Sequence, residues 1–237
     1  MSLEAAFDTP ESKRIHVRRL FATIADRYDL ITVLFSYGRD RHWKKRLVQL
    51  ADIHPGERAL DLAAGTGDIT YLLRAKGAAT VGLDVTHRML EIAVAKARGQ
   101  PSPAFLTGDM MALPFRGASF EVVTTGYGLR NVPELGPALE EIARVLKPGG
   151  RFLSLDFNRP DDARLRRLYL SYLARVGSVV GWVLHGDPDT YRYIPESIRR
   201  YPGAYGVAAL LERHGFEGVS VIPLLGGLMT LHAARRR

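Results

Sequence analysis

The sequence predicts an α/β fold, a mostly parallel sheet wound on both faces by helices, on three observations. Between residues 58 and 156 short apolar runs alternate with stretches of helical periodicity. The first run opens into a glycine turn, Asp61-Leu-Ala-Ala-Gly-Thr-Gly67, and then a helix. The runs close on Asp61, Asp84, Asp109, Gly126 and Asp156. Right-handed crossovers gather those ends along one rim, where ligands of open α/β sheets bind.

Taken in order, Thr9-Pro10-Glu11 reads as a helix start: a hydroxyl at the N-cap, proline where no N–H is needed, and an acid at the positive end of the dipole. Val17, Leu20, Phe21, Ile24 and Tyr28 then recur at helical spacing, with Lys13, Arg14, Arg18 and Arg19 largely elsewhere. Tyr28 to Gly38 follows, and Arg39-Asp-Arg-His-Trp-Lys-Lys45 leads into a second helix through about Ala51. Residues 1–55 therefore read as a helical cap, with a binding role as the alternative.

Leu60 and Leu62 mark the first strand, Ile69 to Lys76 a helix, Thr80 to Leu83 the second strand and Arg88 to Arg98 the next helix. Ala104 to Leu106, Phe120 to Thr125 and Arg151 to Asp156 read as strands, with helix Leu135 to Leu146 and the turn Pro148-Gly-Gly150 before the last. From Asn158 to about Gly203 the alternation stops, too long an interruption for a plain loop. Leu165, Leu168, Tyr169, Tyr172, Leu173, Val176, Val180 and Val183 keep helical spacing there, among Arg164, Arg166, Arg167 and Arg175. This helix packs on the core, forms a lid, or touches lipid. Helix Val207 to His214 and an antiparallel hairpin, Val219 to Pro223 and Met229 to Ala233 about Gly226-Gly227, close the chain. The expectation is a single domain over 1–237, with a core of 56–157 and 204–237 and an insertion at 158–203.

The length and the 46% hydrophobic content allow a full core, and the absence of cysteine excludes disulfides, thiolate metal sites and sulfur nucleophiles. No metal site is expected. A formal charge of +8 points to nucleic acid or an anionic membrane surface. The charged N-terminus is no secretory signal, and the apolar stretch Val176 to Leu184 is too short to span a bilayer. A cytoplasmic location is expected, at most peripheral at the inner face of the membrane.

The glycine turn selects its ligand by exclusion. A dinucleotide fingerprint would put a third glycine where Thr70 stands, and a Walker loop would need Gly-Lys-Ser or Gly-Lys-Thr. The acid, small residue and Gly-x-Gly of Asp61 to Gly67, followed by Asp84, fit S-adenosylmethionine. Asp84 suits a ribose diol, Asp109 an adenine amino group, the helix N-terminus a carboxylate, and Asp61 an ammonium. Nucleic-acid methylation is a weak reading: there is no Asn/Asp-Pro-Pro-aromatic turn after the fourth strand, no cysteine, and no aromatic ladder among basic residues.

Five segments then carry a family resemblance: Tyr28-Asp-Leu with Ser36-Tyr-Gly-Arg-Asp-Arg-His-Trp-Lys44; Leu60-Asp-Leu-Ala-Ala-Gly-Thr-Gly-Asp68; Tyr127-Gly-Leu-Arg-Asn-Val132; Val145-Leu-Lys-Pro-Gly-Gly-Arg151 with Leu155-Asp-Phe157; and Tyr191-Arg-Tyr-Ile-Pro-Glu-Ser-Ile198. The chain resembles the UbiE/MenG-type quinone-biosynthesis C-methyltransferases. The resemblance implies a Rossmann-like class I S-adenosylmethionine-dependent methyltransferase sheet. It implies methylation of a prenylated quinol ring for menaquinone, ubiquinone or both, and contact with an anionic membrane surface. Carried over, it implies Thr66, Asp84, Asp109 and Met110 at the cofactor, beside Asp61, Gly65, Gly67 and Gly126. Arg130 and Asn131 are expected at the reacting acceptor, with Tyr28, Tyr127, Asp156 and Tyr193 binding it; Asp156 is one candidate for taking its proton and equally a candidate for a structural salt bridge. Thr32, Gly126 and Asp156 depart from the usual asparagine, serine and glutamate. Another small apolar acceptor, a silent scaffold role and a homodimer stay open.

Overall fold

The computed structural model describes residues 3–99 and 102–237, so residues 1–2 of the expected cap and 100–101 of the expected core lie outside the described chain. Thr9 caps helix α1 (Pro10–Ile24) reciprocally: its Oγ1 accepts the Ser12 N–H at 3.1 Å, and Ser12 Oγ accepts the Thr9 N–H at 3.0 Å. The helical spacing predicts continuation to Tyr28, but α1 stops at Ile24, a 3₁₀ turn covers Ala25–Arg27, and α2 (Tyr28–Phe35) starts afresh. The break divides α2 into two stripes. Ile31 and Phe35 turn inward while Leu30, Val33 and Leu34 stay exposed. Helix α3 (Asp40–Leu50) completes the cap and buries Trp43, Leu47 and Val48.

The core alternates as expected: β1 (Arg58–Leu62), α4 (Asp68–Ala75), β2 (Ala79–Asp84), α5 (His87–Ala95), β3 (Ala104–Thr107), β4 (Phe120–Gly126), α6 (Leu135–Val145) and β5 (Leu146–Phe157). The Pro148-Gly-Gly150 turn lies inside β5, where the register on β4 jumps from Phe120↔Leu146 to Val122↔Arg151. Next come α7 (Ala163–His185), α8 (Tyr193–Arg200), α9 (Gly203–Arg213), β6 (Phe216–Leu224) and β7 (Met229–Arg236). The seven strands run in the order β3-β2-β1-β4-β5-β7-β6, the first five parallel and β7 antiparallel to both of its neighbours.

Strand periodicity sorts the two faces of the sheet. Ala59, Val122, Leu153 and Leu155 pack with the cap, Ile69 and Leu73 of α4, and Tyr169, Leu170 and Leu173 of α7. Leu60, Leu62, Val123 and Phe152 pack on the other side with Leu139 and Ile142 of α6 and with Val207 and Leu211 of α9. Truncating one such buried leucine to alanine costs about 2–5 kcal/mol. The cap and α7 thus share one face, and both lean over the strand ends that carry the acids.

Candidate active site

The glycine turn has the backbone its sequence demands. Gly65 and Gly67 are left-handed, at φ +54° and +86°, and a Cβ on Gly67 would lie 3.1 Å from both Ala93 Cβ and Phe105 Cζ. Ala63 and Tyr127 also adopt positive φ, +51° and +61°, which side chains disfavour. Such strain concentrates where a chain is shaped for a ligand.

Asp84 ends β2 beside this turn. Its Oδ2 accepts the Gly65 N–H and its Oδ1 the Thr86 N–H, both at 2.8 Å. Burial pushes its carboxyl upward, against the pull of those donors. Each oxygen keeps a lone pair for a hydroxyl. Asp109 accepts the Met111 N–H at 2.8 Å and faces Arg14 Nε at 3.2 Å, so an ion pair ties α1 to the third strand's end.

These groups line a cavity of about 720 Å³ with Gly65, Met110, Gly126, Tyr127, Asn131 and Tyr28, roofed by Arg14, Val17 and Phe21 of α1. Leu83, Val85 and Met89 add apolar wall, and the wall residue Thr86 has a buried Oγ1 with no partner. A second, more apolar cavity of about 610 Å³ shares Phe21, Tyr28 and Tyr127 with the first. Ile31, Thr32, Phe35, Phe157, Tyr193 and Arg130 also line it. The Tyr193 hydroxyl is buried without a partner.

Arg130 is 6% exposed and held from several sides. Its backbone N–H and Nε donate to Asp156 Oδ2 and Oδ1 at 3.1 and 3.2 Å. Nη1 donates to Ser197 Oγ at 2.8 Å and to Asn131 Oδ1 at 3.2 Å, and the guanidinium lies 5.1 Å from the centre of the Phe157 ring. Asn131 donates back to the Tyr127 carbonyl at 2.8 Å, and the Tyr127 hydroxyl donates to Asp40 at 2.7 Å.

Of the residues singled out in the sequence, Gly65, Asp84, Asp109, Met110, Gly126, Asn131, Tyr28 and Tyr127 meet at the first cavity, and Arg130 and Tyr193 join Tyr28 and Tyr127 at the second. Four further residues expected at the site, Asp61, Thr66, Gly67 and Asp156, lie off the walls of both cavities. Asp61 lies off both walls, because its two oxygens are taken by Thr70 and Thr124 hydroxyls at 2.6 and 2.9 Å. Its burial pushes the carboxyl up to about 7. Thr66 turns its hydroxyl to Asp29, at 2.6 Å, so it pins α2 to the turn, and Gly67 caps α4 from outside the walls. Asp156 is 2% exposed and accepts three N–H groups, two from Arg130 and one from Phe157. It holds Arg130, as a structural salt bridge would, and does not line the second cavity.

The model of the ubiE/COQ5 methyltransferase family matches residues 9–236. The chain belongs to that family. It is 40% identical over 220 residues to a demethylmenaquinone methyltransferase of Beutenbergia cavernae, covering 93% of this chain and 90% of the relative. It is 39% identical over 220 residues to a ubiquinone/menaquinone biosynthesis C-methyltransferase UbiE of Rubrivivax gelatinosus, covering 93% and 86%. A demethylmenaquinone methyltransferase of Thermus thermophilus is 39% identical over 220 residues, covering 92% of this chain and all of that one. Among solved structures, an S-adenosylmethionine-dependent methyltransferase of Thermotoga maritima aligns with TM-score 0.68 at 18% identity, over 94% of this chain and 100% of that one. At that identity the likeness speaks for the fold.

This ubiE/COQ5-type chain is accordingly an S-adenosylmethionine-dependent methyltransferase. The first cavity suits that cofactor: it offers carboxylates at two strand ends, an apolar slot and the unpartnered Thr86 hydroxyl. Sequence reasoning missed Arg14, Val17, Thr86 and Ser197. Arg14, Val17 and Phe21 share one face of α1 at spacings of three and four, a signal that equally describes packing. Ser197 lies in the segment Tyr191 to Ile198 that carries the resemblance, but its own role comes only from Arg130.

Helical spacing places Lys13 off the apolar face of α1, yet its Nζ donates to the carbonyls of Val132 and Arg130 at 2.5 and 3.3 Å. It therefore ties the cap to the Arg130-Asn131 loop. Burial, aided by Arg130 and Arg200, lowers its amine from 10.5 to about 8. Between those values the unfolded chain binds a proton that the folded chain does not, so this residue makes stability rise with pH. The stability of wild type relative to Lys13→Met should therefore increase between pH 7 and pH 10, read from urea midpoints. A difference that does not change with pH would show Lys13 to be solvated.

Proposed function

We propose that the chain transfers a methyl group from S-adenosylmethionine to a ring carbon of a prenylated quinol, demethylmenaquinol or a demethylated polyprenyl methoxybenzoquinol. The observation that carries this is the pair of adjoining cavities parted by Phe21, Tyr28 and Tyr127, the second apolar but for a few polar groups that include Arg130. The names printed for the relatives support it, being methyltransferases of demethylmenaquinone or of both quinone pathways.

When bound, S-adenosylmethionine supplies a methyl group activated by a sulfonium; Asp84, Asp109 and Thr86 would hold it, with Met110 and Leu83 against its apolar parts. A ring carbon becomes nucleophilic once a neighbouring hydroxyl gives its proton to a water or a carboxylate. Arg130, always cationic, stabilises the phenolate that results, and Asp156 with Ser197 fixes its guanidinium. After methylation the ring regains aromaticity as that carbon's hydrogen moves to the oxygen as a proton. Asn131 is locked to Tyr127 and Arg130, and so holds the wall between the cavities. The unpartnered Tyr193 hydroxyl offers the acceptor a hydrogen bond. The rings of the partition and the cap exclude water, which leaves positioning as the protein's main contribution. The same reading brings the protein to the lipid that houses a prenyl tail, as a peripheral partner of the membrane's inner face. Among the described residues no helix is long and apolar enough to cross a membrane.

Radiolabelled S-adenosylmethionine should label one or both freshly reduced quinols and neither oxidised quinone. Label on a nitrogenous or sterol acceptor instead would overturn the reading.

A further inference from the structure

Helix α2 has a second face that the proposed reaction leaves unused. Leu30, Val33, Leu34 and Tyr37 form one stripe at spacings of three and four, with exposures of 57, 50, 47 and 50%. Across from it α7 exposes Leu168, Tyr172, Val179, Trp182 and Val183, of which Leu168 and Trp182 reach 69 and 67%. The Tyr37 and Tyr172 rings stack at 6.2 Å, so the two stripes form one patch. Contiguous apolar surface of this kind marks an interaction site.

The charge around the patch that is free of ion pairs is mostly positive. Arg27 precedes α2, Arg39 and Arg41 follow it, and Arg164, Arg167 and Arg175 lie on α7, all exposed and none ion-paired among the described residues. The acids in and beside α2 are engaged, Asp29 with Lys96, Asp26 with Arg88 and Asp40 with Lys44, while Asp161 beside α7 is exposed. Asp162 caps α7 through the Leu165 N–H, and Asp189 pairs with Arg192. The inward stripe of α2, Ile31, Thr32 and Phe35, lines the acceptor cavity. One helix therefore separates that cavity from the patch.

We propose that the joint face of α2 and α7 is the surface on which this protein lies against an anionic lipid bilayer, placing the acceptor cavity one helix away from the lipid. The proposal rests on the quinol reading for its purpose, though not for its geometry. Apolar side chains enter the acyl boundary while arginines meet anionic headgroups, each worth about 1 kcal/mol near such a surface. A second copy of the chain is disfavoured as the occupant, because a two-fold contact would set the same arginines against each other.

The protein carries its own probe. It has two tryptophans, of which Trp43 is buried at 3% and Trp182 is exposed, so a change of emission on docking reports Trp182. Vesicles with about a third anionic lipid should shift that emission to the blue and bind the protein, with binding falling as salt rises; purely zwitterionic vesicles should bind far less. Replacing Trp182→Glu and Val183→Glu together should weaken vesicle binding, followed by flotation, on the order of 10²-fold. The variant should keep wild-type turnover on a short-tailed, water-soluble quinol and lose it on a long-tailed quinol carried in vesicles.

Vesicle binding unaffected by the two glutamates or by anionic lipid would overturn the proposal. So would a wild-type dimer that the two glutamates dissociate, with no vesicle binding. Failure of wild type on the short-tailed quinol would instead strike at the acceptor reading and leave the docking result standing.

Discussion

Arg130→Lys should fold, titrate with S-adenosylmethionine as wild type does, and turn over about 10²–10³-fold more slowly, the usual effect of losing one donor aimed at a developing anion. Lysine is the variant to make first. Alanine would leave Asp156 buried at 2% exposure without its cation, and stripping one partner from a buried pair costs about 3–5 kcal/mol, enough to blur a catalytic loss with unfolding. Lysine keeps a positive charge opposite Asp156 but cannot reproduce the fork that reaches Asp156, Ser197 and Asn131 together. Single-turnover rates beside a calorimetric cofactor titration separate the two outcomes. Wild-type turnover in Arg130→Lys would make Arg130 a structural partner of Asp156 and nothing more.

Asp84→Asn should weaken S-adenosylmethionine binding about 10²-fold and lower the melting temperature by roughly 3–10 °C, since the bonds it breaks also hold the folded turn. The carboxylate accepts the N–H groups of Gly65 and Thr86 with one oxygen each, and an amide must turn an NH₂ toward one of them. A hydrogen bond to a charged group is worth about 1.5–3 kcal/mol, which at 1.4 kcal/mol per tenfold gives that loss. The damage reaches beyond one contact, because the same bond sets the left-handed turn at Gly65. A cofactor affinity within a factor of two of wild type would remove Asp84 from the site.

The parts of this molecule written in local pattern were legible beforehand. The strand and helix alternation, the glycine turn and the terminal hairpin each follow from spacing and turn chemistry over a few residues. The cap was visible as helices, but its break at Ile24 was not. Tyr28 continues the apolar period of α1, and only the packing of Ile31 and Phe35 decides that a new helix begins there. Asp61 and Asp156 show the opposite limit. A strand-end acid looks the same in sequence whether it faces a ligand or is claimed by Thr70 of the next helix and Thr124 of another strand, or by Arg130. Lys13 was hidden for the same reason, since its partners lie more than a hundred residues away.

Strand β7 pairs with β5 on one side and β6 on the other, Arg151↔Arg235 at one end and Leu224↔Met229 among its contacts. It is made after every other strand, yet it sits inside the sheet. Until residues 229–236 leave the ribosome, β5 and β6 each present an open edge that no neighbour covers, and open edges recruit other chains. The sheet is therefore completed by inserting a strand between two that were made before it. Ribosome stalling or proteolytic trimming shortly before residue 229 should yield aggregates in place of a smaller folded core.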